Sequence, residues 1–468
     1  MEASDVEQVQ QATASEGGIR QMPTIAGSSS EIHSISGTPG TSGFSGSDKP
    51  EWEDYSRCIR CGLCLNQCPT YRELGVEMDS PRGRIYQMVQ VAEGRLPLGD
   101  SFVRHMDLCL GCRACETACP SGVEYGKLIE GARAQIEQHI PRPLLVRWLR
   151  HFAFHYLIPR ANMLKVAGFL LWAYQASGLQ AMMRRSGFLN EFPRLAELDA
   201  LSPQAEAPFF FSNIGKVFPA QGKHRYRVAF HAGCIANVSF ARLQEATVRV
   251  LQENGCEVII PAGQTCCGAL HVHAGIRDFA RELARKNIEI FLREEVDAII
   301  TNAAGCGSAL KEYGYLLKQD AIWAGQAEQF ASKTKDILEF LAEIGLTQKM
   351  HSLPINVTYQ DSCHLVHGQK VRNQPRTLLE SIPGIRFSEM PLADVCCGSA
   401  GIYNLTETEL SMKLLRSKME SANSTNADII ATANPGCMLQ LRAGASHFGK
   451  SQRVVHVVEL LDEARESA

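Results

Sequence analysis

The 468-residue sequence lacks several of the motifs by which enzymes bind cofactors or cleave substrates. It contains no G-x-G-x-x-G, no H-E-x-x-H and no G-x-S-x-G. We therefore expect no flavin, nicotinamide or nucleotide site and no catalytic residue in the chain itself. A strong positive charge is lacking as well, since 47 basic residues stand against 50 acidic ones, a formal net charge of −3. This balance excludes a generic nucleic-acid binder.

Long apolar runs are also scarce. The first 30 residues contain no apolar run of the kind that a signal peptide needs, so we expect an intracellular chain. Residues 1–50 contain ten Ser, seven Gly and four Thr, and we predict that this segment is a disordered tail. The 18 uncharged residues of 166–183 reach the lower limit for a membrane-spanning helix. Gln175, Ser177 and Gln180 interrupt them, so we expect no span.

Acidic residues are absent from the stretch 138–190, which contains seven Lys and Arg among many apolar residues. This pattern is typical of a basic amphipathic helix that lies at a membrane surface or against a partner subunit. A helical linker packed on its own domain is the alternative interpretation.

Cysteine is abundant, because the chain has 17, an odd number that leaves a disulfide-only scheme one partner short. Intracellular cysteine clusters usually bind metals or take part in redox chemistry. Two runs share the spacing C-x2-C-x2-C-x3-C followed by Pro, the two-cluster run of bacterial ferredoxins, in which the fourth cysteine ligates the other cluster. The spacing predicts two [4Fe–4S] clusters, one on Cys58, Cys61, Cys64 and Cys119 and one on Cys68, Cys109, Cys112 and Cys115.

The sequence alone leaves two questions about this region open, the role of two arginines and the identity of the bound metal. Arg82 and Arg84 follow the first run and either tune the cluster potentials or face solvent. A pair of four-cysteine zinc sites is the alternative to the clusters, although such sites usually show two separated C-x2-C pairs.

An internal duplication follows in the second half of the chain. Equivalent cysteines in the two copies lie 129, 130 or 131 residues apart. The first copy contains Cys234, Cys266, Cys267 and Cys306, and the second contains Cys363, Cys396, Cys397 and Cys437. Alternating strand-like and helix-like stretches predict one α/β subdomain per copy, with strands at 227–231, 257–260, 298–302, 355–360 and 428–434. Cys256 has no counterpart, and we interpret it as a buried apolar residue.

The cysteine pattern of each copy resembles the CCG domain of heterodisulfide reductases, which binds an unusual [4Fe–4S] cluster through a further C-x-x-C cysteine. Ala309 and Gln440 stand at that further position here. The departure argues against disulfide-cleaving chemistry, whereas four thiolates per copy suffice in number for a cluster. We therefore regard the eight cysteines of the copies as candidate ligands of additional clusters. The alternative is that they are buried apolar residues, and the neighbouring His231, His364 and His367 are either further ligands or ordinary histidines.

From about residue 51 to residue 465 the chain resembles the iron–sulfur subunit of bacterial glycolate oxidase (glycolate dehydrogenase). The resemblance is carried by CIRCGLCLNQCPTYRELGVEMDSPRGRI from Cys58, CLGCRACETACPSGVEYG from Cys109, QDSCHLVHGQ from Gln360, DVCCGSAGIYNL from Asp394 and TANPGCMLQL from Thr432. It implies a complex with FAD-binding subunits that oxidise glycolate to glyoxylate and send electrons towards quinone. The chain would then be the electron-transfer subunit of an oxidoreductase, in the cytoplasm or peripheral on the inner face of the cytoplasmic membrane, and not catalytic alone.

The sequence thus predicts an α+β protein. Its predicted parts are a disordered tail (1–50), a helical two-cluster ferredoxin-like domain (51–136), a basic amphipathic helical connector (137–225), and a first and a second CCG domain of α/β type (226–350 and 351–468). Three other functions remain open. They are an iron–sulfur subunit for lactate or glycerol 3-phosphate, a self-contained heterodisulfide or thiol reductase, and a structural zinc scaffold.

Overall fold

A bundle of short helices precedes two small parallel sheets along the chain. The structure is a computed structural model and describes residues 43–187, 191–192, 199 and 202–465. All described residues belong to one compact unit. The helices of the first bundle are Trp52–Ser56, Pro69–Leu74, Pro81–Ala92, Asp100–Asp107, Ala114–Thr117 and Tyr125–His139, with a 3₁₀ turn at Glu77–Asp79.

The first sheet belongs to the first copy of the duplication. Its strands are β1 (Val217–Phe218), β2 (Tyr226–Phe230), β3 (Cys256–Ile259), β4 (Ala298–Thr301) and β5 (Thr334–Asp336). They lie in the order β1-β3-β2-β4-β5, and all pairs are parallel except β1 with β3. Its helices are Ala236–Ser239, Ala241–Glu253, Ala269–His273, Arg277–Leu292, Ala304–Lys311, Tyr313–Leu316, Ala324–Lys333 and Ile337–Ile344.

The second sheet repeats this arrangement without the antiparallel edge strand. It contains β6 (Asn356–Tyr359), β7 (Arg386–Glu389), β8 (Ile429–Thr432) and β9 (Arg453–His456) in the parallel order β7-β6-β8-β9. The helices are Gln374–Glu380, Tyr403–Thr406, Thr408–Ser424, Pro435–His447 and Val457–Glu463, with a π-turn at His364–Gly368. The predicted α+β class and the duplicated α/β region are therefore confirmed.

The central strands explain why the cysteines meet at one edge of each sheet. All four residues of β4 and all four of β8 are buried, as expected of parallel strands covered by helices on both faces. In such sheets the loops at the carboxyl ends of the strands form the ligand site where the strand order reverses. Cys234 follows β2 and Cys306 follows β4, so the first copy places its cysteines at this position, and Cys363 and Cys437 do the same in the second copy.

The connector between the bundle and the first sheet is helical where it is described. Its helices are Leu144–His151, a π-turn at Phe152–Leu157, Ala161–Ala176 and Leu179–Arg185. The helix Leu144–His151 buries none of its residues, and Leu144, Leu145 and Trp148 are exposed by 74%, 68% and 62%. Within the described residues, no helix is both long and apolar enough to cross a membrane.

The prediction of a disordered tail over 1–50 is wrong for its last residues, 43–50. Asp48 is 4% exposed and pairs with Arg277 and Arg281 of the first copy, and Phe44 packs against Phe102. These long-range partners order a segment whose own composition favours disorder. Residues 1–42 lie outside the described residues. The other predicted domain limits stay predictions.

The stretch GASHFGKS at 444–451 has the letters of a P-loop and therefore bears on the expectation that the chain has no nucleotide site. A P-loop connects a strand to a following helix. Here Gly444 lies inside the helix Pro435–His447, and residues 449–451 precede β9. The element order is therefore helix, turn and strand, which is not the geometry of a phosphate-binding loop.

Candidate iron–sulfur centres

The second predicted ferredoxin set lies together in the interior. Cys68, Cys109, Cys112 and Cys115 line one small cavity and are all buried. Tyr125 donates to the Cys109 sulfur over 3.8 Å, and Thr70 Oγ1 lies 3.2 Å from the Cys68 sulfur. Four sulfurs around one buried cavity form the donor set that a [4Fe–4S] cluster requires, so the residues fit that group.

The first predicted ferredoxin set lies nearer the surface. Cys61 is exposed, whereas Cys58, Cys64 and Cys119 are half-buried and pack against the core of the helical bundle. Burial raises the pKa of the Cys64 thiol to about 11. The apolar neighbours Ile59 and Leu63 are exposed by 69% and 59%. This set therefore offers a surface at which a redox partner can approach.

The structure separates the two arginines that the sequence left undecided. Arg84 is 1% exposed, and its guanidinium donates to Thr70 Oγ1 and to the His105 carbonyl oxygen. Burial opposes its charge, but the nearby groups of Cys109, Tyr125, Cys68 and Asp79 together outweigh burial and hold the pKa of Arg84 above its ordinary value. Arg82 is partly exposed and pairs with Glu77. Arg84, and not Arg82, is thus the buried cation beside the second set.

In each copy of the duplication the four cysteine side chains form a connected group in the same order. In the first copy the Cys266 side chain is hydrogen-bonded to Cys234 and Cys267, and the Cys267 side chain to Cys306. Hydrogen bonds to Cys267 from these neighbours lower its pKa. The equivalent connections in the second copy run through Cys363, Cys396, Cys397 and Cys437. Sequence had paired these residues only by spacing, and the fold brings each set together.

The two copies face a common cavity of about 470 Å³. Six cysteines of the duplication line it: Cys234, Cys266, Cys267, Cys306, Cys363 and Cys437. The Nδ1 atom of His231, a residue that is 1% exposed, is buried there without a hydrogen-bond partner. The volume and the sulfur lining of this cavity fit a group larger than a single metal ion. The Nδ1 atom of His231 is available to bond such a group.

The positions of the missing fifth cysteines contain no sulfur in either copy. Gln440 is 1% exposed and donates to Ser411 over 2.9 Å, so this side chain has a structural hydrogen bond. Ala309 packs against the core of the first copy. His367 bonds Thr117 and the Asp394 carbonyl oxygen and is therefore not aimed at the cysteines.

The second copy meets the helical bundle through a cluster that contains cysteines of both. Cys112, Cys363 and Cys396 belong to one buried group with Leu108, Leu110, Ala114, Tyr403, Leu410 and Leu414. Burial raises the pKa of the Cys112 thiol, and the Cys396 thiol raises it further, because the two groups lie close together. The Tyr403 hydroxyl also donates to the Leu108 carbonyl oxygen over 3.1 Å.

Sequence reasoning missed Lys418, a lysine that is 3% exposed behind the Cys396–Cys397 pair. Its ammonium donates to the carbonyl oxygens of Leu392 and Ala393 over 2.5 and 3.1 Å. Burial lowers the pKa of Lys418, and the sulfurs of Cys397 and Cys396 act in the opposite direction. The sequence offset between the two copies could have revealed this difference, since it aligns Lys418 with the neutral Asn287.

Fold and site together define the class: an iron–sulfur protein with a dicluster ferredoxin-like domain followed by a duplicated cysteine-rich domain. Family models agree, because a 4Fe-4S dicluster domain matches residues 54–123, and a cysteine-rich CCG domain matches residues 228–311 and 357–442. The connector matches the linker region of the glycolate oxidase iron–sulfur subunit over residues 145–202.

Relatives identify the particular family. A probable glycolate oxidase iron–sulfur subunit of Bacillus subtilis (strain 168) is 46% identical over 87% of this chain and 93% of its own length. The glycolate oxidase iron–sulfur subunit of Escherichia coli (strain K12) is 34% identical over 87% of this chain and 94% of its own. A lactate utilization protein A of Oceanobacillus iheyensis is 31% identical over 51% of this chain and 98% of its own. The chain belongs to the family of glycolate oxidase iron–sulfur subunits, which confirms the resemblance predicted from the sequence.

Proposed function

We propose that the chain is the electron-transfer subunit of a flavin-dependent glycolate dehydrogenase that converts glycolate to glyoxylate. It accepts electrons from the reduced flavin of FAD-binding partner subunits and passes them to a quinone. The observation that carries this proposal is the continuity of the cysteine sets. Cys58, Cys64 and Cys119 pack on the core that contains Cys109 and Cys115, and Cys112 of this second set shares a buried cluster with Cys363 and Cys396.

The predicted ligand sets give the chain its chemistry. One [4Fe–4S] cluster is assigned to Cys58, Cys61, Cys64 and Cys119, and another to Cys68, Cys109, Cys112 and Cys115. The cysteine sets of the two CCG copies are assigned to additional clusters, because each set is connected and borders the common cavity. Such clusters carry single electrons, whereas a flavin can release the two electrons of a hydride one at a time.

The connector is assigned to the surface of an anionic membrane on its cytoplasmic face. Its exposed side chains Leu144, Leu145 and Trp148 surround the exposed Arg147, and the stretch 138–190 contains no acidic residue. Apolar side chains that enter the headgroup region and arginines that pair with anionic lipids stabilise this kind of peripheral association. The connector also packs on the first copy, where Leu164, Phe211 and Val238 form a buried group beside Cys234.

The test is anaerobic isolation of the chain with its natural partners, followed by addition of glycolate while the visible iron–sulfur absorbance is recorded. Bleaching with glycolate, and little with lactate or glycerol 3-phosphate, is the expected result. Intact clusters that none of these substrates reduces would contradict the relay and favour a thiol reductase.

Lactate is the second candidate substrate, because the relative from Oceanobacillus iheyensis is named a lactate utilization protein. That relative matches only 51% of this chain, whereas the two glycolate oxidase subunits match 87%. Bleaching by lactate alone would support the electron relay but would identify lactate, and not glycolate, as the substrate of the complex.

A further inference from the structure

A buried position near the two cysteine pairs carries a different side chain on each of two equivalent helices, Arg277–Leu292 and Thr408–Ser424. A side chain added at Gly268, directly after the first pair, would meet Ala280, and one added at Gly398 would meet Ser411. These contacts align the two helices. Two helical turns further along, Asn287 stands in the first copy and Lys418 in the second.

Asn287 supports the first pair with a neutral amide. It is completely buried, its Nδ2 donates to the Cys266 carbonyl oxygen over 3.1 Å, and its Oδ1 accepts from the Thr265 amide over 2.9 Å. The Tyr313 hydroxyl, which bonds the Cys267 carbonyl oxygen, completes this support. No charge is therefore added beside the first set by these residues.

Lys418 supports the second pair with an ammonium. Besides its two carbonyl partners, Lys418 lines a small cavity together with Cys396 and with Pro69, the residue after Cys68. The carboxylates nearest in sequence and space have arginine partners of their own, since Asp394 pairs with Arg372 and Asp361 with Arg376. The positive charge of Lys418 thus lies beside Cys396, on the side of the second cysteine set that borders Pro69.

We propose that Lys418 places a positive charge beside the Cys396–Cys397 pair and makes the second cysteine set a stronger electron acceptor than it would be with a neutral side chain, such as that of Asn287 in the first copy, at this position. A fixed positive charge stabilises the more negative, reduced form of a nearby cluster, and local charge is one of the factors that set cluster potentials. The inference rests on the proposed function, because it requires clusters at the duplicated sets. It adds an unequal role for two copies whose cysteines are otherwise alike.

The experiment is a potentiometric titration of the isolated complex, followed by electron paramagnetic resonance. Lys418→Met removes the charge at similar size, Lys418→Gln keeps amide donors for the two carbonyl oxygens, and Lys418→Arg keeps the charge. Lys413→Met is the matched control, since Lys413 lies on the same helix but is exposed and pairs with Glu409. Cys396→Ser identifies the signal that belongs to the second set.

We expect Lys418→Met and Lys418→Gln to shift the midpoint potential of the Cys396-dependent signal downward. Lys418→Arg and Lys413→Met should leave it in place, and the ferredoxin signals should move less. Unchanged potentials in a folded Lys418→Gln protein with full iron content would overturn the proposal. An iron content of only about eight atoms per chain, the content of two [4Fe–4S] clusters, would also overturn it. That last result would leave the ferredoxin part of the proposed function intact, which the glycolate bleaching tests separately.

Discussion

The two copies of the CCG domain share a fold and a cysteine arrangement but meet the helical bundle in different ways. The second copy meets it through a buried apolar cluster that includes Cys112, Cys363 and Cys396. The first copy meets it through ion pairs, such as Arg113 with Glu312 and Arg281 with Asp48. Electron transfer requires short separations, whereas ion pairs mainly fix relative position. Cys109 of the bundle lines the common cavity with cysteines of both copies, but among the described residues the buried apolar cluster with Cys112 contains cysteines of the second copy alone.

The strongest way to test this contact between the bundle and the second copy is Cys112→Ser. Loss of this thiolate should abolish electron flow from glycolate to the acceptor, while glycolate still reduces the partner flavin, because the substitution removes a ligand in the interior set and leaves the partner untouched. The measurement is flavin absorbance and acceptor reduction in the same anaerobic sample. Cys256→Ser is the control, since Cys256 is completely buried but belongs to neither a ferredoxin set nor a CCG set. Unimpaired flow in the Cys112→Ser complex would refute the relay.

A second test compares equivalent cysteines of the two copies. Cys306→Ala and Cys437→Ala should each lower the iron content by up to about four atoms per chain, the content of one [4Fe–4S] cluster. Each residue is the last member of its connected set. Cys256→Ala should keep the iron and cost only about 1 kcal/mol of stability, as is usual for a small loss of buried volume. Iron analysis of the three purified variants checks this. If only one of the two ligand variants loses iron, only one copy is metallated.

The sequence predicted the central strands well, because they depend on local signals, whereas the cysteine ligand sets stay predictions from local spacing. Cluster spacing is a local property, and β4 and β8 are continuous buried runs of Ala, Ile and Thr. Strand β7 was not predicted, because three of its four residues are exposed and it lacks an apolar run.

Features that depend on long-range contacts escaped the sequence. The pairing of Asp48 with Arg281 orders a segment with the composition of a tail, and these residues lie 233 positions apart. The junction of Cys112 with Cys396 and the burial of Lys418 likewise arise only when the bundle and the second copy pack together.

The connector offers a third test, because it packs on the first copy and we propose that it binds the membrane. The double variant Leu145→Asp, Trp148→Asp should lower binding to vesicles that contain phosphatidylglycerol by at least about tenfold, since burying one large apolar side chain contributes about 1.5–3 kcal/mol. Vesicle co-sedimentation measures this, and added salt should weaken the wild-type binding. Ile322→Asp, at a side chain of the first copy that is 77% exposed, is the control. Equal binding of the double variant and the wild type would contradict the proposal that the connector contacts the membrane.

The smallest expected effect concerns the last strand of each sheet, where both copies cap a helix with a capping box but use different residues. Asp336 caps Ile337–Ile344, and His456 caps Val457–Glu463 by accepting from the Val458 amide at Nδ1. Burial raises the pKa of Asp336 to about 7 and lowers the pKa of His456 to about 4. Protonation of His456 in the folded state would place a charge in the core and remove the acceptor of the cap.

These opposite shifts predict opposite pH responses of the two copies. The folded-state pKa of His456 lies below its unfolded value of 6.5, so its contribution to stability is complete above pH 6.5 and is lost as the pH falls towards 4. The folded-state pKa of Asp336 lies above its unfolded value of 3.8, so its contribution is complete below pH 3.8 and is lost as the pH rises towards 7. Between these limits, acidification lowers the stability of the second copy and raises the stability of the first.

At pH 5.5, one unit below the unfolded pKa of 6.5, the loss at His456 should be about 1.4 kcal/mol, the free energy that corresponds to one pKa unit. His456→Asn, which keeps an oxygen that can accept from the Val458 amide, should flatten the acid side of the stability profile. His447→Asn, at an exposed position of the same copy, should not. Limited proteolysis at pH 5.5 and 7.5, with the fragments assigned to each copy, measures the pH response of each copy separately. Faster cleavage of the first copy at acid pH would contradict the predicted pH responses. That copy has the aspartate cap and should be the more stable of the two copies under those conditions.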